Sequence, residues 1–244
     1  MKQKWAVLLL WIGVVLFLPA NNGDEMEPTG GGIVIQLPDN VPLVALTFDD
    51  GPNPVTTPRL LEGLALREVP ATFFVVGSHV EEYPELVLNM RDAGHQIGVH
   101  TYDHVELTKL TEKIYEQQVR RNREQLTMLL GEGEYWLRPP YGLTDGNITR
   151  WEKGPLIIWS VDPEDWKDRN SARVVEQVVA RAKDGDIILL HDIYEESVDA
   201  ALAIVDELLS RGFCFVTVEQ LASLRGGEIE GGLRYTKFPP VPGE

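Results

Sequence analysis

Short apolar runs alternate along the chain with longer segments whose apolar residues recur every three or four positions. The runs at 44–48, 72–76, 96–99, 136–138, 156–160, 186–190 and 213–217 are brief and rich in β-branched or aromatic side chains, as buried strands are. The segments between them read as helices. Thr57 with Pro58 is an N-cap and first-turn pair, and Ala93-Gly94 closes a second helix. Residues 111–130 set Tyr115, Val119, Leu126 and Leu129 on one side, and Val198, Leu202, Val205 and Leu209 form an apolar stripe ended by Gly212. Strands alternating with helices predict an α/β fold with a parallel sheet, and seven short strands of similar length favour a barrel over an open sheet.

The two ends break this pattern. Lys2 and Lys4 precede the apolar run 5–20, which Asn21, Asn22, Asp24 and Glu25 cut off, so residues 1–24 read as a signal peptide or an N-terminal membrane anchor. Both lysines lie before the run, which places everything after it outside the cytoplasm, secreted or anchored through residues 5–20. Residues 25–40, with three consecutive glycines and two prolines, read as a linker. Residues 41–225 are expected to form a single domain, and 226–244, rich in Gly and Pro and without periodicity, a loosely ordered tail.

Composition narrows the partners. The formal charge of -16 over 244 residues argues against nucleic acid, which is held by clustered Lys and Arg. Cys214 is the only cysteine, so no intrachain disulfide is available. The chain is expected to act as a monomer on a neutral or cationic partner.

Five fragments carry the chemistry: Thr47-Phe48-Asp49-Asp50-Gly51-Pro52, His100-Thr101-Tyr102-Asp103-His104, Arg138-Pro139-Pro140-Tyr141, Asp162-Pro163-Glu164-Asp165-Trp166 and Leu189-Leu190-His191-Asp192. Each begins at the C-terminal end of an expected strand, the face where a barrel gathers its active site. His100 and His104, four apart, can share a metal that Asp50 completes, although this spacing also arises by chance. Asp49-Asp50 before Gly51-Pro52 would serve equally as an ordinary turn, but two adjacent carboxylates repel unless a cation is near, and Arg138 could supply one. His191 needs an acidic neighbour to act as an acid, and Asp165 is the candidate. Trp159 and Trp166 flank the acidic segment and suit packing or a sugar face. His79 and His95 have no acidic or histidine partner at a useful spacing and read as surface or packing residues.

Together and in this order the five fragments resemble the motifs of the polysaccharide deacetylase family, the NodB-homology or carbohydrate esterase 4 group, over about residues 42–224. The resemblance implies a distorted (β/α)7 barrel that binds one divalent metal, usually zinc, with cobalt as a substitute, and removes acetyl groups from N-acetylated sugars of a polysaccharide. Position by position, Asp49 resembles the base, Asp50, His100 and His104 the metal ligands, Arg138 the residue that orients the base, and His191 the general acid tuned by Asp165. The Tyr141 amide resembles an oxyanion donor, and Trp166 and Leu189 the walls of the acetyl pocket. Export suits cell-wall peptidoglycan as the polymer. An O-acetyl esterase acting on acetylated xylan is the second reading; a silent glycan-binding module and a small-molecule amidase are weaker ones.

Overall fold

The computed structural model describes residues 41–226 and 228–240. Residues 1–24, read as a signal or anchor, and the linker 25–40 therefore lie outside the described residues. In chain order the elements are β1 (Leu43–Asp49), α1 (Thr56–Ala65), β2 (Thr72–Val75), α2 (Gly77–Glu82), α3 (Pro84–Asp92), β3 (Gln96–Val99), α4 (Glu112–Leu130), α5 (Gly146–Trp151), β4 (Leu156–Ile157), α6 (Asp165–Asp168), α7 (Ser171–Arg181), β5 (Asp186–His191), α8 (Glu195–Ser210), β6 (Cys214–Phe215), α9 (Val218–Leu224) and β7 (Arg234–Tyr235).

β1 is buried at every position because it is covered on both edges and both faces. One edge pairs with β2, Asp49 opposite Phe74, and the other with β5, Asp49 opposite His191. β6 pairs with the first residues of β1, Leu43 and Val44. β2 pairs with β3, Val99 pairs with Leu137, Leu137 with Leu156, and Val161 with Ile188 of β5. All these pairings are parallel, and they run in a circle from β1 back to β1: the (β/α) barrel that the alternation predicts. Phe48 stacks on Phe73 at 5.2 Å in the core. Each such fully buried large apolar side chain contributes about 2 kcal/mol.

The barrel is distorted where the sequence is least strand-like. Residues 136–138, expected as a strand, pair only through Leu137, because Pro139 and Pro140 follow and have no N–H to continue a ladder. Residues 156–160 shrink to the two residues of β4, after which the chain crosses to β5 at Val161.

Two helix expectations need correction. α1 starts at Thr56 with Val55, not Thr57, at its N-cap, and the Asn53 side chain in the turn before it accepts from Val55 N and Thr56 N. On α8 the buried stripe is Val198, Ala201, Ile204, Val205 and Leu208, whereas Leu202 is partly buried and Leu209 exposed, because α7 and β5 cover a face rotated from the one chosen by residue size. α4 buries Tyr115, Val119 and Leu126 as expected, together with Asn122.

The tail expected to be loosely ordered also differs. β7 pairs with β4, Lys237 pairs with Asp186, and Phe238 is buried and donates its N–H to Gly185 O at 2.8 Å. The segment closes the barrel beside the short β4, which leaves hydrogen-bonding groups for a late strand to take.

Candidate active site

A cavity of about 350 Å³ opens at the C-terminal ends of the strands, lined by Asp49, Asp50, His100, His104, Tyr141, Trp159, Asp162, Trp166, Leu189, His191 and Tyr194. Arg138 and Asp165 touch it from behind through Asp49 and His191. Every residue singled out in the five fragments is thus brought to one place.

Asp49 and Asp50 are consecutive, but the turn separates them. Asp50 has φ +73°, so its side chain leaves the strand in a new direction, while Asp49 stays buried beneath. Thr101, His104, Tyr141 and Glu164, all around the cavity, also have positive φ. Each costs of order 1 kcal/mol for a residue with a side chain, a cost met where the surrounding structure dictates direction.

The Asp50 carboxylate lies 3.4 Å from His100 Nε2 and 3.2 Å from His104 Nε2, and one ligand atom from each of the three residues lies within 4.8 Å of the others. His100 Nδ1 lies 2.7 Å from the Arg138 carbonyl; a carbonyl only accepts, so Nδ1 carries the proton and Nε2 faces Asp50. Burial disfavours charging both Asp50 and His100. It is outweighed at Asp50 by His100 and the other histidines, which hold the carboxyl well below its usual range, and at His100 by Asp49 and Asp50, which raise its pKa. Burial and the nearby His100 charge push His104 down. Asp50 Oδ1 is buried without a hydrogen-bond donor. Two imidazoles and a carboxylate around an orphaned oxygen fit a divalent cation of the zinc type.

Arg138 is fully buried and spends its donors on the site. Nη1 bonds Asp49 Oδ1 at 2.8 Å and Thr47 Oγ1 at 2.7 Å, Nη2 bonds Ile158 O at 3.0 Å, and Nε bonds Ile157 O at 3.2 Å. Its guanidinium lies 4.1 Å over the Phe74 ring. The other Asp49 oxygen is left toward His100 Nε2, 3.7 Å away.

His191 stands beside Asp49 on the neighbouring strand. Asp165 accepts from both its Nδ1, at 2.8 Å, and its backbone N–H, at 2.8 Å, which leaves Nε2 for the cavity. Burial pulls the imidazole down, but the Asp165 hydrogen bond and charge, with Asp49 and Asp50, raise its pKa to about 9. Tyr141 packs edge-on against His104 at 4.9 Å.

Some neighbours escaped sequence reasoning. Thr47 Oγ1 bridges Arg138 and Ile188 O. Asn122 donates to Val75 O and Thr101 O, holding the loop between the two histidines. Tyr194 lines the cavity three residues after His191, a spacing that in an aromatic residue was the available signal. His95 packs against Phe73 as expected, its pKa lowered to about 4 by burial, but His79 is no simple surface residue: its Nδ1 meets Asp50 O at 2.8 Å.

A barrel that brings an arginine-held carboxylate, a carboxylate-held histidine and a cation-ready triad into one cavity offers the parts of a hydrolytic site. The polysaccharide deacetylase family model matches residues 37–153. The chain is 41% identical over 186 residues to the peptidoglycan-N-acetylmuramic acid deacetylase PdaC of Bacillus subtilis, covering 76% of this chain and 40% of that protein. It is 35% identical over 205 residues to a peptidoglycan-N-acetylglucosamine deacetylase of Bacillus cereus, covering 81% of this chain and 95% of that protein. Among solved structures, the family 4 acetyl xylan esterase of Clostridium thermocellum in complex with a cobalt ion superposes with a TM-score of 0.77 at 29% identity, over 81% of this chain and 99% of that one. The chain belongs to the polysaccharide deacetylase family. It spans about two fifths of the length of PdaC.

Proposed function

We propose that the protein removes N-acetyl groups from the amino sugars of cell-wall peptidoglycan, outside the cytoplasm, releasing acetate and a free amine. The observation that carries this is the placement of Asp49 and His191 on adjacent strands, flanking Asp50, His100 and His104 in one cavity. The similarity to peptidoglycan deacetylases supports the polymer, and the apolar run 5–20 after two lysines supports export, as a released or membrane-anchored monomer.

A divalent cation held by Asp50, His100 and His104, zinc by the donor set and cobalt as a substitute, would supply Lewis acidity and lower the pKa of water. Asp49, its Oδ1 held from behind by Arg138, takes on its other oxygen, Oδ2, the proton of the water that attacks the acetyl carbon. The Tyr141 amide donates to the developing oxyanion, an interaction typically worth about 3 kcal/mol. His191 Nε2 then protonates the sugar nitrogen as the C–N bond breaks, and Asp165 holds the imidazole in register throughout. Trp166 and Leu189 wall the acetyl methyl. Deacetylation of an O-acetyl polysaccharide is the second reading, favoured by the likeness to the xylan esterase. A proton donor raised to about 9 favours the amide, since an amine leaves less readily than an alcohol.

The test is acetate release from purified peptidoglycan, N-acetylglucosamine oligomers and acetylxylan, before and after chelation. We expect release from the N-acetyl substrates, abolished by chelator and restored by zinc or cobalt. Activity on acetylxylan alone would move the protein to the esterase reading, and undiminished activity after complete metal removal would refute the metal centre.

A further inference from the structure

We propose that His79 is a positioning residue of the metal centre, acting through the backbone of Asp50; the inference rests on the metal reading given above. His79 lies on α2, outside the five fragments, and its Nδ1 sits 2.8 Å from the Asp50 carbonyl oxygen. A carbonyl only accepts, so Nδ1 is the donor, and it remains so whether the ring is neutral or charged.

The segment that carries His79 is wedged between the two ligand loops. Val76 N donates to Gly51 O at 2.9 Å, directly after Asp50. Gly77 N donates to Thr101 O at 2.9 Å and Ser78 N to Tyr102 O at 2.9 Å, both between His100 and His104. His79 completes the set by taking the carbonyl of the ligand residue itself. Gly77 permits the close approach: a Cβ there would meet the Tyr102 ring at 2.6 Å.

Asp50 needs such a hold. At φ +73° its backbone is in a region that residues with side chains seldom occupy, and the direction of its carboxylate follows from the peptide plane that ends in this carbonyl. Among the described residues no backbone N–H is paired with that oxygen, so His79 is its partner. Without the bond the peptide plane is free to rotate, and Oδ1 leaves the point where it meets His100 and His104 Nε2. Partners of metal ligands commonly control affinity by tenfold to about a hundredfold.

The test compares His79→Leu with His79→Asn in the purified full chain; Asn presents an amide N–H near the position of Nδ1, Leu presents none. Zinc affinity is measured by competition with a chromophoric chelator, the cobalt form is followed by visible absorption, and the metal-free melting temperature is recorded. We expect about tenfold or greater loss of zinc affinity and altered cobalt bands in His79→Leu, with most of both recovered in His79→Asn and similar metal-free melting temperatures. Wild-type affinity in His79→Leu, or a His79→Asn protein no better than it, overturns the inference while leaving the metal centre standing. A wild type that binds no zinc overturns the metal centre first and this inference with it. If His79→Leu does not fold, His79→Ala takes its place under the same criteria.

Discussion

His191 owes its chemistry to its surroundings more than any other residue of the site. In the metal-free protein its pKa is raised from an ordinary value near 6.5 to about 9, so it is protonated at neutral pH and able to act as an acid. The sign for stability follows. A raised histidine pKa stabilises the fold fully below about 6.5, and that contribution fades as pH rises through about 9. A bound dication repels the imidazolium, so the holoenzyme's basic limb should lie below that of the metal-free titration. The rate is expected to fall at high pH as His191 loses its proton. Asp165→Asn should move the basic limb downward, since it removes the charge that offsets burial. Asp49→Asn and His191→Ala should each lower kcat about a hundredfold or more with zinc content unchanged, because each removes a proton-transfer partner and no ligand. A pH profile from initial rates, with zinc measured on the same samples, checks both; normal kcat in either variant would remove that residue from the proposed mechanism. These residues were legible because each sits in a short fragment with its own chemical signature. His79, Asn122 and Thr47 were not, because their partners are distant: His79 meets a carbonyl 29 residues away, Asn122 one 21 away, and Thr47 a guanidinium 91 away.

At the scale of elements, legibility followed length and burial. β1 and β5, long and apolar, were plain; β4 and β7, two residues each, carry no period that a sequence can display. α8 shows how size misleads: Leu202 and Leu209 are large, but the smaller Ala201 lies on the packed face. The C-terminal segment offers the sharper test. Phe238 is buried, stacks on Tyr235 at 5.3 Å and is tied to Gly185, whose φ of +85° and contact with the Phe238 carbonyl leave no room for a side chain. Phe238→Ala should cost about 3 kcal/mol, read as a lower urea midpoint with unchanged slope. An unchanged midpoint would mean that the segment lies on the barrel without supporting it.

For the whole molecule, the net charge of -16 disfavours polyanions and is compatible with the neutral or cationic partner expected from the sequence. The export proposal belongs at this scale. Protease added to intact cells should digest the domain, and recovery of the protected full-length chain in the cytosolic fraction would contradict it. The buried pairing of Arg138 with Asp49 has an evolutionary consequence. Replacing both charges of such a pair by apolar side chains is often neutral or stabilising by about 1–4 kcal/mol, whereas losing one alone costs about 3–5 kcal/mol. A lineage drifting toward greater heat resistance therefore meets a valley before it reaches the sturdier, inactive barrel. Selection for stability alone, one substitution at a time, is turned back at the first step, and Asp49 survives with its arginine even in periods when activity is not being selected.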